Sequence, residues 1–297
     1  MSKPLILVTG ATGTVGSELV KQLAETGQRV RALVRNPKKA EGFPKAIEVV
    51  HGDLEKPDTL APAFAGGDKA FVVLPAGPML PAMEGNAFEA AKKGGVGHIV
   101  KLSARHVDAD FMARTPLAQW HRDSEQRLRS LGIPWTILRP GTFASNVLFW
   151  LDRKNNTIFL PTGDGRDSFV DPRDIAAVAV ALLTLPGQDG RIYEISGSEW
   201  LSFAQVVQKI SELTGKQTSY HNIPEETAKQ GMLAMGMPLP LVESMLSYYV
   251  AGIRNGKMYA PTSAIRDVLG RPARSFDEWV RDHRAMLLEN HRRDDNG

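Results

Sequence analysis

The stretch VTGATGTVG, residues 8–16, decides the fold of this chain. It follows the apolar run PLILVTG (4–10), typical of a buried strand, and it leads into SELVKQLAETG (17–27), whose apolar spacing is typical of an amphipathic helix. Its glycines are spaced three apart, at Gly10, Gly13 and Gly16. A strand, a glycine-rich turn and a helix in this order predict a loop that binds the diphosphate of a dinucleotide.

Each glycine of such a loop has a physical task. One allows the sharp turn, one lets a pyrophosphate approach the backbone, and one lets the helix pack closely on the strand. The N-terminus of the helix then offers free N–H groups and partial positive charge to the phosphates. The missing G-K-[ST] excludes a P-loop, and a tight turn without a ligand is the alternative. The predicted cofactor contacts in the loop are Gly10, Thr12, Gly13, Thr14, Val15 and Gly16.

Outward from this loop, short apolar runs alternate with helical patterns. The predicted strands are 29–35, 47–53, 69–75, 98–104 and 133–140, and the predicted helices are 82–95 and 116–132. Parallel strands need crossover connections of this length, and nearly continuous apolar strands are expected where helices cover both faces. The pattern predicts an α/β fold, a Rossmann-type doubly wound parallel sheet.

The second half of the chain has a looser pattern. We predict a strand at 157–163, a helix at 171–184, a strand at 191–197 and a helix at 202–215, then a helical stretch 224–257 broken at 237–240, a final helix 275–290 and a frayed tail. Asp171 and Pro172 are typical of a helix start. We expect residues 1–155 to form the dinucleotide-binding domain, with 168–198 returning to it. Residues 156–297 then form a smaller, mostly helical substrate-side region.

The residue after the second strand indicates which nucleotide binds. Proteins that bind NAD place a carboxylate there for the ribose 2′-hydroxyl, whereas this chain has Arg35, followed by Lys38 and Lys39. A guanidinium can bind a 2′-phosphate through two hydrogen bonds, so the sequence predicts NADPH rather than NADH. A solvated basic turn is the alternative. Asp53 is placed to meet the adenine or to cap the next helix, and Leu54 to cover the adenine ring.

Composition narrows the classes of function. The net charge is only +3, and aromatic residues do not alternate with the basic ones, which disfavours nucleic-acid binding. The absence of cysteine excludes disulfides and a thiolate nucleophile. The sequence shows no signal-peptide pattern, no apolar run long enough for a membrane span and no metal-ligand spacing. We expect a cytoplasmic protein that acts on a small molecule, with no metal.

Several motifs together resemble the NmrA-like branch of the atypical short-chain dehydrogenases. They are TGATGTVG, the arginine after strand two, GDL, LPAGP, HIVKLSA and GIPWTILRPGTF. Within that branch the chain is similar to NADPH-dependent azoreductases, quinone reductases and triphenylmethane reductases. The resemblance implies a Rossmann domain with a smaller region over the nicotinamide. It also implies cofactor contacts after strands four, five and six, at Leu74, Pro75, Ala76, Lys101, Ser103, Pro140 and Phe143.

The catalytic pair of typical short-chain dehydrogenases is missing. Those enzymes use Y-x-x-x-K on the helix after strand five, but none of the five tyrosines here has a lysine four residues on. His121 and Glu125 have the matching spacing, and a carboxylate one turn away can raise the pKa of an imidazole. We predict that His121 assists catalysis with Glu125, while Lys101 orients the substrate or the nicotinamide. The alternative is that Glu125 pairs with Arg122 or Arg129 and that His121 is a wall residue.

Together with these features, the resemblance implies NADPH-dependent hydride transfer to a small, electron-poor aromatic acceptor, such as a quinone or an azo compound. The NmrA-like branch also includes sensors that bind the dinucleotide and catalyse nothing. A sensor of NADP(H) that regulates a protein partner is therefore the alternative. The missing tyrosine and lysine disfavour a sugar-nucleotide epimerase.

Overall fold

A parallel β-sheet forms the centre of the molecule. The computed structural model describes residues 3–289. The strands are β1 (Leu5–Val8), β2 (Arg29–Val34), β3 (Ile47–His51), β4 (Lys69–Val72), β5 (His98–Leu102), β6 (Trp135–Pro140), β7 (Leu151–Asp152), β8 (Thr157–Leu160), β9 (Arg166–Asp167), β10 (Arg191–Ile195), β11 (Leu201–Ser202) and β12 (Ser219–Asn222). Seven of them form the central sheet in the order β10-β6-β5-β4-β1-β2-β3, and every pair is parallel. The predicted doubly wound sheet is confirmed.

Helices cover both faces of this sheet. The helices of the described residues are α1 (Thr14–Glu25), α2 (Ala61–Phe64), α3 (Leu80–Lys93), α4 (Pro116–Arg129), α5 (Val147–Trp150), α6 (Pro172–Thr184), α7 (Phe203–Thr214), α8 (Glu225–Ala234), α9 (Leu239–Leu246), α10 (Ala264–Leu269), α11 (Phe276–Asp282) and α12 (Arg284–Leu288). One layer contains α1 and α6, and the other contains α3 and α4. Short 3₁₀ segments lie at 37–40, 57–59 and 144–146, and a π-helical segment spans Ser247–Arg254.

Burial explains the composition of the central strands. Ile6, Leu7 and Val8 have no exposed surface, since successive side chains of β1 point into opposite helix layers. Because all seven strands run in one direction, the carboxyl ends of β1, β4, β5 and β6 lie along one edge of the sheet. Ligands of doubly wound sheets bind at that edge.

The late helix α6 and strand β10 complete the central sheet layer. β10 pairs with β6, and α6 packs on α1. Asp171 caps α6 by accepting a hydrogen bond from the Arg173 backbone N–H at 2.8 Å, and Pro172 is the first helical residue. The acidic start of α6 is therefore a structural cap, as the sequence predicts.

A second core lies in the C-terminal half. It contains β8, α7, the π-helical segment and α11, with the fully buried Trp279 among its large side chains. The prediction of a single last helix over 275–290 is wrong, because the chain leaves helical geometry at His283. The His283 ring stacks on Trp279, and the turn lets Leu287 reach the core. The last residue of that predicted helix, Asn290, and the predicted frayed tail 291–297 lie outside the described residues.

Candidate active site

The glycine loop forms an open cradle at the end of β1. Gly10 has φ +56°, and a side chain there would lie 2.7 Å from the Val73 carbonyl oxygen. A side chain at Gly16 would collide with the Gly10 carbonyl. Gly13 is the N-cap of α1 and supplies no side-chain hydrogen bond to the first turn. The free N–H groups of that turn therefore face outward for an anion.

The predicted loop contacts divide by exposure. Gly10, Thr12, Gly13 and Thr14 are exposed, so they can meet a diphosphate directly. Val15 and Gly16 are buried against the sheet, where they set the approach of α1 to β1. The loop therefore fits a dinucleotide on its outer side.

The basic side chains after β2 face solvent. Arg35, Lys38 and Lys39 are exposed, and their side chains form no hydrogen bond or ion pair with any residue of 3–289. Asn36 fixes the turn by accepting a hydrogen bond from the Lys38 backbone N–H at 3.1 Å. Three cationic groups are thus available at the edge where the ribose of a dinucleotide is expected.

Asp53 and Leu54 differ in what they offer to an adenine. Asp53 is half-buried, and its Oδ1 accepts a hydrogen bond from the Glu55 backbone N–H at 3.1 Å, which makes it the cap of a tight turn. The Leu54 side chain is packed in the core near Leu33 and Leu60. That burial leaves it little surface with which to cover an adenine ring.

The contacts implied after β4 and β6 lie along the same edge of the sheet. Leu74 and Ala76 are half-buried and Pro75 is exposed. Pro140 is buried at the end of β6, where it pairs with Ile195. Phe143 is half-buried, in a bridge to Val170.

A group of buried polar side chains, here called the α4 cluster, lies between α4 and the ends of β5 and β6. Its members are Glu84, Lys101, Ser103, His121, Ser124, Glu125 and Arg139. His121 Nδ1 lies 3.5 Å from Ser103 Oγ, and that hydroxyl donates a hydrogen bond to Glu125 Oε1 at 2.6 Å. Ser103 therefore stands between the imidazole and the carboxylate that the H-x-x-x-E spacing suggested as direct partners.

Glu125 is held by arginines. Arg139 donates to both of its oxygens, at 2.9 and 2.7 Å, and Arg129 donates to Oε2 at 2.9 Å. The contact with Arg129 is the one that the alternative interpretation named, whereas Arg122 donates to the carbonyls of Val107 and Ala113.

A cavity of about 380 Å³ opens beside Glu125. Its lining consists of Asp108, Arg122, Glu125, Gln126, Arg129, Arg139 and Ile192. Six of these seven side chains are polar or charged, which suits water better than an apolar acceptor.

Lys101 forms a buried ion pair inside the α4 cluster. Its Nζ lies 2.6 Å from Glu84 Oε2, and both side chains are fully buried. Burial lowers the pKa of His121 well below its ordinary value, and the charges of Lys101 and Arg139 lower it further. The expectation that a carboxylate raises this pKa is wrong, because the arginines take up the charge of Glu125. His121 is therefore a neutral imidazole.

A second group of polar side chains, here called the π-helix cluster, lies beyond the ends of β5 and β6. Its members are Arg105, His106, Thr142, Asp167 and Tyr248. Asp167 Oδ2 accepts hydrogen bonds from Thr142 Oγ at 2.6 Å and from the Tyr248 hydroxyl at 3.0 Å. The Tyr248 and Thr142 hydroxyls are themselves 2.8 Å apart. Burial raises the pKa of Asp167 to about 6, against the hydrogen bonds from Thr142, Ser168 and Tyr248.

His106 differs from the other members of the π-helix cluster in the hydrogen bonding of its side chain. It is 2% exposed with φ +67°, and neither ring nitrogen has a hydrogen-bond partner among residues 3–289. The ring is packed against three aromatic rings, with centroids 5.6 Å from Phe111, 6.0 Å from Tyr248 and 4.8 Å from Tyr259. Burial and the charge of Arg105 lower the pKa of His106 to about 3. None of the sequence motifs points to His106, Asp167 or Tyr248.

Comparison with known proteins identifies the family. The NAD(P)H-binding family model matches residues 10–186. The chain is 36% identical to an NAD(P)H azoreductase of Xenophilus azovorans over 95% of this chain and 99% of the relative. The chain belongs to the NAD(P)H-binding family. A nicotinamide dinucleotide is its cofactor, and the predicted similarity to azoreductases and the predicted class of NAD(P)H-dependent oxidoreductase are confirmed.

Two solved structures extend this comparison. An NADPH-dependent quinone oxidoreductase of Escherichia coli, complexed with NADPH, is 27% identical and has a TM-score of 0.81 over 93% of this chain and 98% of that chain. NmrA, a negative transcriptional regulator solved with NADP, is 19% identical with a TM-score of 0.73 over 95% of both chains. The second likeness is one of fold alone. Within residues 3–289, no helix combines the length and apolarity needed to cross a membrane.

Proposed function

We propose that this protein is an NADPH-dependent reductase that transfers hydride to a small, electron-poor aromatic acceptor of the quinone or azo type. One observation carries the proposal. The carboxyl edge of the sheet holds a glycine cradle after β1 and, beyond the end of β5, the aromatic side chains Phe111, Tyr248 and Tyr259. A dinucleotide on the cradle would extend its nicotinamide toward a surface on which a planar acceptor can stack. The azoreductase and quinone oxidoreductase relatives support the same class of acceptor.

The preference for NADPH rests on Arg35, with Lys38 and Lys39 beside it. A 2′-phosphate adds a charge-assisted hydrogen bond, which contributes about 1.5–3 kcal/mol. Replacing Arg35 by Ala is therefore expected to weaken NADPH binding about ten- to a hundredfold and to leave NADH binding nearly unchanged. Calorimetric titration with both nucleotides measures this, and NADH is the internal control. Equal losses for both nucleotides would refute the role of Arg35.

The bound nicotinamide supplies the hydride, and the protein supplies position. An electron-poor acceptor accepts hydride readily once it is held against the nicotinamide, so positioning carries most of the rate. In this proposal His121 and Ser103 belong to the polar wall at the end of β5. Lys101 and Glu125 hold that wall in place through their buried ion pairs. The catalytic use of His121, Glu125 and Lys101 stays a prediction.

The deciding experiment follows the absorbance of NADPH in the presence of a series of quinones and azo dyes. Turnover that depends on the acceptor supports the reductase. Tight NADPH binding without turnover of any acceptor contradicts it and indicates a dinucleotide sensor with a protein partner. The Gly16→Val variant is the matched control, since its side chain would collide with the Gly10 carbonyl and spoil the cradle.

A further inference from the structure

We propose that Tyr248 donates the proton that completes reduction of the acceptor, and that Asp167 restores this proton through their shared hydrogen bond. The inference rests on the proposed reductase function and adds to it the residue that handles the proton. Neither residue belongs to the H-x-x-x-E pair on α4. The first observation is the hydrogen-bonded triangle of Tyr248, Asp167 and Thr142.

The direction of hydrogen bonding in this triangle depends on Asp167. When the carboxylate is ionised, both hydroxyls donate inward to Oδ2. When Asp167 carries a proton, the carboxyl can donate to the Tyr248 oxygen, which frees the tyrosine hydrogen to point toward a ligand. Tyr248 therefore has a donor to offer only when the acid behind it holds a proton.

The position of Tyr248 suits contact with an acceptor. Thr142, its hydrogen-bond partner, lies in the loop after β6, between the implied cofactor contacts Pro140 and Phe143. Tyr248 is half-buried, so part of the residue is exposed. It lies in the π-helical segment, a geometry that is rare and is frequent at functional sites.

His106 is an independent sign that a ligand binds here. A buried imidazole with two unpaired nitrogens is costly, and native proteins seldom keep such a group without a use. Its ring packs against Tyr248 and Tyr259, and Tyr259 is 45% exposed. An aromatic acceptor that reaches these rings, and that carries an oxygen or nitrogen, would find the imidazole and the tyrosine hydroxyl side by side.

The proposed step balances. For a quinone, the hydride forms the hydroquinone monoanion, and the Tyr248 O–H bond breaks as a new O–H bond forms on the quinone oxygen. The Tyr248 oxygen takes the proton of Asp167, and solvent restores that proton. The sum is NADPH, quinone and one proton giving NADP⁺ and hydroquinone. A cationic triarylmethane dye differs, because its central carbocation takes a hydride and becomes neutral without any proton.

The surroundings of Asp167 set the expected pH dependence. Thr142, Tyr248 and the Ser168 backbone N–H donate to it, and Arg105 is the nearby cation. Burial outweighs these effects and raises the pKa of Asp167 to about 6. Burial and the Asp167 charge keep the pKa of Tyr248 well above its ordinary value, so the hydroxyl holds its proton at neutral pH. Quinone reduction by the wild type is therefore expected to slow as pH rises through about 6.

The test compares two acceptors, a quinone and a cationic triarylmethane dye, in Tyr248→Phe. General acids contribute about a hundredfold or more, so quinone reduction is expected to slow by about that factor while dye reduction stays within about threefold. Tyr249→Phe is the matched control. Its hydroxyl lies in the same π-helical segment but contacts Trp150 Nε1, at 3.0 Å, and not Asp167. This variant is expected to reduce both acceptors as the wild type does.

Asp167→Asn gives a second readout. It is expected to reduce quinone slowly with a flat pH profile, and to remove an infrared carboxyl band that titrates near pH 6 in the wild type and in Tyr249→Phe. Equal losses on quinone and dye in Tyr248→Phe, or an unchanged pH profile in Asp167→Asn, would overturn the proton role and leave the reductase intact. A wild type that reduces neither acceptor would overturn the reductase, and the proton role with it.

Discussion

The α4 cluster and the π-helix cluster lie at the same edge of the sheet, yet their buried carboxylates have different kinds of partner. In the α4 cluster each carboxylate meets a cation: Glu84 meets Lys101, and Glu125 meets Arg139. In the π-helix cluster the carboxylate of Asp167 meets hydroxyls and a backbone N–H. The carboxylates of the α4 cluster are thus paired with cations, whereas Asp167 in the π-helix cluster is an acid that can lose its proton at moderate pH.

This difference bears on the predicted catalytic role of His121. His121 has the place of the catalytic tyrosine in typical short-chain dehydrogenases, but burial lowers the pKa of its imidazole, and the charges of Lys101 and Arg139 lower it further. An imidazole whose pKa is lowered well below its ordinary value carries no extra proton to donate near neutral pH. Burial raises the pKa of a carboxyl group in each cluster, Glu84 in one and Asp167 in the other. Glu84 has Lys101 at ion-pair distance, whereas Asp167 has no cation at that distance among residues 3–289, and it lies outside the H-x-x-x-E pattern.

The largest expected effect concerns the buried ion pair of Lys101 and Glu84. Lys101→Met leaves Glu84 buried without its cation, and breaking a buried ion pair from one side costs about 3–5 kcal/mol. Urea unfolding should show that loss in the free energy of unfolding.

The double variant Glu84→Leu, Lys101→Met is the control, because it removes both charges and keeps apolar volume. It should recover most of the stability, since apolar replacement of a buried pair is often neutral. A double variant as unstable as the single one would mean that Lys101 matters through packing and not through charge compensation.

The next largest expected effect concerns Asp167, the buried acid of the π-helix cluster. Because the pKa of Asp167 is raised from 3.8 to about 6 in the folded state, the folded protein holds the proton more tightly than the unfolded chain. The free energy of unfolding should therefore fall as pH rises from about 4 to about 6, by about 3 kcal/mol, and then level off.

The measurement is the difference in urea stability between the wild type and Asp167→Asn at several pH values. The wild type should lose stability relative to the variant as pH rises. A difference that is constant between pH 4 and pH 7 would contradict the uncompensated state of Asp167 and make the two clusters alike.

Local patterns predicted the parts of this structure that depend on neighbours in sequence. The glycine loop, the apolar strands and the Asp171 cap each depend on residues only a few positions apart. The exposed cations after β2 follow from the same local order, because the chain leaves the sheet at Arg35.

Such local patterns do not predict polar contacts between residues that are far apart in sequence. Tyr248 and Asp167 are 81 residues apart, and the π-helical segment has no spacing that marks it in the sequence. The H-x-x-x-E spacing placed His121 and Glu125 on one face, but it did not reveal that β6 brings Arg139 to the carboxylate. The partner of Glu125 is therefore decided by β6, an element outside α4 that carries Arg139.

The smallest expected effect concerns His121 itself. His121→Asn keeps a polar atom near Ser103, and we expect kcat for a quinone to stay within about threefold of the wild type, whereas loss of a general acid would cost about a hundredfold or more. Because burial and the charges of Lys101 and Arg139 lower the pKa of His121, its ring resonances in NMR spectra should not titrate between about pH 5 and pH 8. A large loss of kcat together with a histidine that titrates near neutrality would move the proton chemistry back to α4. A small loss with a ring that does not titrate would leave Tyr248 and Asp167 as the groups that handle the proton, because they combine a hydroxyl donor with a titrating acid.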